Sequence, residues 1–257
     1  MVDILVRACG NHQMTRDCLL SIRKNTPPGT YRIILSDDGS DPAQGDAFTD
    51  IYVRARDTRG AVTATNLGLG ASLNLFDSEF VLILDNDTEI PDGDSGWLTR
   101  MLAELQSSGP NTACVGATSS YVNPPQHILR VPQTYTADWS DEKTGKSGLK
   151  ENPPVGWFVS FAVLFRKSVL AQLGAWDDRY NPGNWEDTDY SVRVRLAGYE
   201  IRVARSVYIH HKGSQTFSDR LQTLLVTNGN KFRDKWSIGT LLDLGFISPK
   251  ELSNAAK

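Results

Sequence analysis

Residues 80–90 read FVLILDNDTEI, and how they are interpreted decides the fold. Phe80, Val81, Leu82, Ile83 and Leu84 form an unbroken apolar run. Such a run suits a strand covered on both faces, as at the centre of a parallel or mixed sheet. It stops abruptly at Asp85-Asn86-Asp87-Thr88-Glu89. Acids at the carboxyl end of a central strand point into the crevice where open α/β sheets hold ligands. Two carboxylates one residue apart repel each other unless a cation lies between them, and oxygen ligands suit a divalent ion. A polar turn after a strand accounts for the same residues, because Asp and Asn are favoured in turns. The segment alone supports either reading.

The flanking sequence extends the sheet. Ile4–Ala8 reads as a short strand broken at Cys9-Gly10-Asn11, a turn that could bring backbone close to a ligand. A helix is expected from Thr15, its N-cap, to about Lys24, with Cys18, Leu19 and Ile22 at helical spacing. Tyr31–Ser36 is a second strand running into Asp37-Asp38-Gly39. Strand, helix and strand make a right-handed crossover, so the strands are parallel neighbours and Asp37 and Asp38 share an edge with Asp85 and Asp87. Ile51–Ala55 reads as a strand and residues 60–75 as a loop feeding a helix. Trp97–Ser107 is an amphipathic helix carrying Leu98, Met101, Leu102 and Leu105 on one face, and Ala113–Ala117 a short strand. Residues 118–154 hold five prolines and a polar run, and read as a mobile loop near the site. Val155–Phe165 is expected to be a strand pair or one long bent strand. Glu186, Asp187 and Asp189 open a helix over Tyr190–Ala197, where carboxylates suit the positive end of the helix dipole. Strands at Ile201–Ala204 and Val207–Ile209 lead to His210-His211.

With 257 residues, 40% of them hydrophobic, the chain can bury a large α/β core. The net charge of −3 gives no support to a general polyanion-binding surface. Cys9, Cys18 and Cys114 are odd in number and lack CxxC spacing, so they read as free thiols in a reducing compartment. No signal-peptide pattern and no apolar stretch long enough to span a bilayer is found, which points to a cytoplasmic protein.

Four stretches fall in one order: SDDGSD at 36–41, LDNDTEI at 84–90, NWEDTDYSVRVRLAGYEI at 184–201 and HHKGSQTF at 210–217. Together they resemble the family 2 glycosyltransferases of GT-A fold. The resemblance implies a single Rossmann-like α/β domain over residues 1–240, its central sheet mixed but mostly parallel and flanked by helices. Residues 1–117 would form the nucleotide-sugar half, 155–217 the acceptor and catalytic half, and 241–257 a tail.

The resemblance also implies roles. Asp38, with Asp37 beside it, would contact the nucleotide base, and Ala8, Cys9 and Gly10 would line the base pocket. Asn66 sits where the family often has Arg-Asn, near the nucleotide; Thr65 precedes it here, so a cationic contact is missing, and Arg59 is a candidate source of that charge. Asp85 and Asp87 match the DxD motif around Asn86, which would lie against the nucleotide. Asp87 would bind the metal, and Asp85 the ribose, the metal's water or the metal itself. His211 would complete metal binding, or His210 if the alignment slips by one. Asp187 matches the catalytic base, with Glu186 as the alternative, and Trp157 and Trp185 offer flat faces to an acceptor.

Chemistry asks for the same residue types. Negative charge develops on a nucleoside diphosphate as it leaves, and a divalent ion offsets it. Asp oxygens suit Mg2+ or Mn2+, and one His nitrogen favours Mn2+. An acceptor hydroxyl needs a base opposite the bond that breaks, which gives inversion. The resemblance implies a UDP-sugar as the commonest donor, with dTDP- and GDP-sugars left open, and the acceptor is expected to be a glycan, a lipid-linked sugar, a protein or a modified nucleic acid. Two other functions compete. A sugar-1-phosphate nucleotidyltransferase needs a Gly-rich basic loop after the first strand, where CGNHQMTR stands here. An inactive binding module would not need Asp87, Asp187 and His211 together.

Overall fold

The apolar run of residues 80–84 is divided between two cores. A computed structural model describes residues 1–45, 48–128, 140–141, 146–147, 153–213 and 220–248. Leu82 and Leu84 face one cluster while Val81 and Ile83 face the other, as the alternation of a strand requires.

The chain runs through β1 (Val2–Ala8), α1 (His12–Asn25), β2 (Tyr31–Asp37), β3 (Ile51–Arg54), α2 (Ala61–Leu75), β4 (Phe80–Asp85), β5 (Thr88–Glu89) and α3 (Trp97–Ser107). It continues with β6 (Thr112–Thr118), β7 (Ser140–Asp141), β8 (Lys146–Ser147), β9 (Ala162–Arg166) and α4 (Lys167–Leu173). A 3-10 turn at Asp178–Tyr180 precedes α5 (Glu186–Leu196), β10 (Glu200–Tyr208), β11 (His210–His211), α6 (Leu221–Lys235) and α7 (Ile238–Asp243). The main sheet has seven strands in the order β10-β6-β9-β4-β1-β2-β3. It is parallel except for β9, which runs antiparallel between β4 and β6. Helices α1 and α3 cover one face through Cys18, Leu19, Ile22, Trp97 and Met101. Val62, Leu69, Val169, Tyr190 and Val192 of α2, α4 and α5 cover the other.

Register places the acids. Ala8 pairs with Asp37 and Arg7 with Asp85, so three strands end level. Backbone bonds from Asp38 N to Ala8 O (2.8 Å) and from Asn86 N to Arg7 O (3.1 Å) carry the alignment past the strand ends.

Several boundaries differ from the sequence reading. Asn11, in a left-handed conformation, caps α1 by accepting from Met14 N, so Thr15 lies inside the first turn. The helix of residues 60–75 begins at once, without a feeding loop. Of Val155–Phe165 only the segment from Ala162 is a strand; Val155 makes one isolated bridge to Ile201. The two expected strands at 201–209 are one, β10, with a register shift between Val203 and Tyr208. The tail expected from residue 241 is ordered to residue 248, with Leu241 buried and Phe246 and Ile247 packed on the second core. Residues 249–257 and much of the 118–154 loop, including its expected mobility, lie outside the described residues. No helix among the described residues is long and apolar enough to cross a membrane.

Candidate functional site

The level strand ends, the first turn of α5 and β11 border one cavity of about 890 Å³. Asp38, Asp85, Asp87, Glu186 and Asp187 all line it. A two-stranded antiparallel sheet brings β11 to β5, pairing His211 with Thr88 and His210 with Glu89. Lys212 N donates to Asp87 O, locking the pairing beside the acids. Ligand atoms of Asp85, Asp87 and His211 consequently lie within 4.8 Å of one another. His210 faces away: it is exposed, stacks edge-on against Tyr208 and does not line the cavity. His211 is therefore the histidine of the group.

The tautomer of His211 follows from its neighbours. Nδ1 lies 2.8 Å from the Tyr121 carbonyl, which can only accept, so Nδ1 carries hydrogen. Nε2 lies 3.2 Å from Asp87 Oδ1. That oxygen is buried with no hydrogen-bond partner. A bare nitrogen lone pair against a bare carboxylate oxygen is repulsive, so the contact needs a proton or a metal cation. Burial disfavours the imidazolium, but Asp87 and Asp85 outweigh it and the pKa of His211 is raised. The residues thus fit a divalent cation: two carboxylates, one imidazole and an orphaned buried oxygen.

Arg7 is the site residue that sequence reading missed. Its guanidinium is buried, and both Nε (2.8 Å) and Nη2 donate to Asp85 Oδ1. Nη2 also reaches Ser160 O (3.0 Å) and Oγ (3.2 Å), and Nη1 reaches Thr65 Oγ1 (3.1 Å). Position 65 carries no charge of its own, and its hydroxyl accepts from the Arg7 guanidinium of β1. Arg59 hydrogen-bonds Asp38 through its backbone N–H, and its side chain does not line the cavity. The signal was an arginine inside the otherwise apolar ILVRA strand, which burial forces to find a partner.

Other expected nucleotide contacts divide. Ala8, Cys9, Asp38, Asp85 and Asn86 line the cavity; Gly10, Asp37 and Asn66 do not. Asp37 is fully buried and accepts from Ser40 N and Oγ, Gln44 N and Tyr52 Oη, so it builds the loop. Gly10 N donates to Ser40 Oγ (2.8 Å), bracing that loop from the other side. Asn66 exchanges hydrogen bonds with the Trp176 backbone and fixes α2 to the segment after α4. Asn86 spends its amide on Thr15 Oγ1. Asp38 accepts from Arg59 N and Gly60 N at the start of α2; burial raises its pKa against those donors. Gly60 is obligatory there, with φ +129°, and a Cβ would stand 2.2 Å from Pro182 Cα.

Glu186 and Asp187 open α5. Glu186 is buried with Oε2 unpartnered, and burial, then the Asp187 charge, push its pKa up to about 8. Burial also raises Asp187, opposed by the Thr188 and Ser160 N–H groups and by Arg7. Thr188 N donates to Asp187 Oδ1 at 2.7 Å. Asn184 and Trp185 just before the helix both have left-handed backbone, φ 72° and 73°. Asn228 of α6 holds that segment with three bonds, to Tyr180 O, Gly183 O and Asn184 O. Trp185 donates to Leu225 O (2.9 Å) and packs on Phe232. Trp157 and Trp185 both line the cavity, joined by Leu221, Leu225 and Phe246, which sequence reading had not singled out.

The chain matches the family model described as glycosyl transferase family 2 over residues 3–174. It belongs to that family. The chondroitin synthase of Pasteurella multocida (strain Pm70) is 27% identical over 244 residues, covering 80% of this chain and 24% of that protein. The N-acetylglucosaminyl-diphospho-decaprenol L-rhamnosyltransferase of Mycobacterium tuberculosis (strain ATCC 25618 / H37Rv) is 36% identical over 67 residues, 26% of this chain and 22% of that one. The chain thus spans under a quarter of the length of these relatives. Among solved structures, the mannosyltransferase PcManGT from Pyrobaculum calidifontis, in complex with GDP-Man and Mn2+, has a TM-score of 0.64 at 15% identity, over 95% of this chain and 67% of its own. GalNAc-T7 with UDP, GalNAc and Mn2+ has a TM-score of 0.60 at 14% identity, over 82% and 43%. These likenesses give this glycosyl transferase family 2 chain the GT-A fold.

Proposed function

We propose that this family 2 chain is a metal-dependent, inverting glycosyltransferase that moves a sugar from a nucleoside-diphosphate donor to an acceptor hydroxyl. The observation that carries the reading is that the Asp85–Asp87–His211 group and the Glu186–Asp187 pair border one cavity. Asp85, Asp87 and His211 would hold Mn2+ or Mg2+, which when bound offsets charge on the diphosphate. Oxygen and imidazole ligands together favour Mn2+. UDP is supported as the nucleotide by the UDP in the GalNAc-T7 structure and the UDP-GlcNAc in that of S. aureus TarS; the GDP-Man of PcManGT keeps GDP as the alternative.

Asp187 is the better base. Both acids line the cavity, but burial and the Asp187 charge push Glu186 toward its neutral form with Oε2 unpartnered, whereas the Thr188 and Ser160 N–H groups and Arg7 favour the charged form of Asp187. Trp157, Trp185, Leu225 and Phe246 would receive an apolar face of the acceptor, which suits a glycan. Residues 1–117 would serve the donor and 155–217 the acceptor; of the stretch between them, Tyr121 and His127 line the cavity wall.

The test is product analysis across a panel of nucleotide sugars with and without manganese. Manganese-dependent release of nucleoside diphosphate is expected. Pyrophosphate released from a nucleoside triphosphate would instead indicate a nucleotidyltransferase. Binding without release of either would indicate a binding module.

A further inference from the structure

The acids on the two sides of the cavity are joined by one short segment, Phe158–Phe161. At its end, Asp85 N donates to Phe161 O at 2.9 Å, tying the segment to the carboxyl end of β4. In its middle, Arg7 donates to Ser160 O and Oγ while also holding the Asp85 carboxylate. At its start, Phe158 N donates to Ser191 Oγ (3.3 Å), and the same hydroxyl donates to Asp187 O (2.7 Å). Arg7, Ser160 and Ser191 are all buried, so these bonds have little competition from water. The segment has no sheet ladder of its own, and β9 starts only at Ala162. Between those points Val159 N donates to Oε1 of buried Gln126, so the segment's position is set by Arg7, Gln126 and Ser191 together with the backbone bond at its end.

We propose that Phe158–Phe161, held by Arg7 and Ser191, is a strap that sets Asp187 in register with Asp85, and that Arg7 and Ser191 are positioning residues for transfer. The proposal rests on the reading of Asp187 as the base and Asp85 as part of the donor site. Arg7 is suited because a guanidinium presents several donors in a fixed fork and reaches Asp85, Ser160 and Thr65 at once, whereas a lysine ammonium is a single point of charge. Misplacing reacting groups by about 1 Å costs roughly 10²-fold in rate. The Ser160 N–H also lowers the pKa of Asp187, in keeping with the contact.

The test uses Arg7→Lys, which keeps the charge, and Ser191→Ala, which lies outside the cavity lining. Each is expected to lower kcat by about 10-fold or more while manganese-dependent donor affinity stays within about threefold. The double variant should lose less than the product of the two single losses, because both release the same strap. The same cycle in urea unfolding of the metal-free, donor-free protein should be non-additive by roughly threefold or more in the folding equilibrium constant. Multiplying effects in both measurements would overturn the strap. Parallel loss of donor affinity and transfer in Arg7→Lys would assign Arg7 to the donor alone and overturn it equally. If the unsubstituted protein neither binds nor cleaves any nucleotide sugar, the proposed activity fails, and the unfolding cycle still decides the strap.

Discussion

Asp87 and Asp187 carry different charges of work within one cavity, and their neighbours make the difference measurable. Asp87 Oδ1 has no donor and faces His211 Nε2, so the oxygen is available to a cation. Asp87→Ala should weaken manganese-dependent donor binding at least 10-fold by calorimetry; unchanged affinity would remove Asp87 from the metal group. Asp187→Asn should leave that affinity within a few-fold and cut transfer by roughly 10²–10⁴-fold, the usual range for a general base. Comparable transfer in variant and parent would rule out Asp187 as base. Glu186 makes a prediction about stability. Its folded pKa of about 8 lies above its ordinary 4.5. Between those values the unfolded chain binds fewer protons than the folded one, so this group's contribution is fully present below pH 4.5 and is lost as pH rises toward 8. Glu186→Gln, neutral throughout, should flatten the fall of Tm across that window and be the more stable form above pH 8. A parallel pair of Tm profiles would show that Glu186 ionises normally in the folded protein.

Helix α6 acts on the site without supplying an acid to it. Asn228 holds the strained turn before α5, and Lys235 and Trp236 donate to buried Asp189 one turn into it. Gly229 sits mid-helix because a Cβ there would lie 3.2 Å from the Trp185 indole. That indole has little freedom to yield, being bonded to Leu225 O and packed on Phe232. Gly229→Ala gains about 1 kcal/mol of helix propensity but incurs an overpacking cost of about 1–3 kcal/mol. The expected net is a loss of up to about 2 kcal/mol in urea unfolding, with a larger relative loss of transfer as Trp185 is pushed from the cavity wall. A gain of the full propensity term with unchanged transfer would mean that Trp185 moves freely. The NGNKFRDKW motif was visible in sequence, but that Asn228, Gly229, Lys235 and Trp236 converge on the segment 180–189 was not.

At the scale of the molecule, the cavity is bordered by the segment after α6 as well as by the sheet. The segment after α6 returns over α5: Arg195 donates to Leu244 O, its guanidinium lies over Phe246, and Phe246 forms part of the cavity wall. Removing residues 237–257 would expose the surface buried by Leu241 and free Arg195 from its acceptor. The expected cost is about 2–5 kcal/mol, from one buried leucine and one charge-assisted hydrogen bond. Transfer to acceptor should fall more than manganese-dependent donor binding. Equal stability of the shortened chain in thermal unfolding would show that this segment is not part of the folded unit.

The sequence by itself determined the sheet and the acids at its edge. An apolar run such as residues 80–84 has no soluble alternative to burial on both faces, and strand, helix, strand order fixes parallel pairing, so Asp38, Asp85 and Asp87 had to share an edge. A local rule accounts for acids at the start of α5, but it was the family resemblance that singled out Asp187 among them. Only the tertiary structure decided what those acids meet. His211 was chosen over His210 by the antiparallel register of β5 and β11, in which a one-residue slip reverses every side chain. Asp37, Gly10 and Asn66 turned away from the cavity because backbone and side-chain partners in neighbouring segments claimed them. Arg7 entered it because a buried guanidinium must find its partners, and Thr65, Asp85 and Ser160 become neighbours only once the chain has folded.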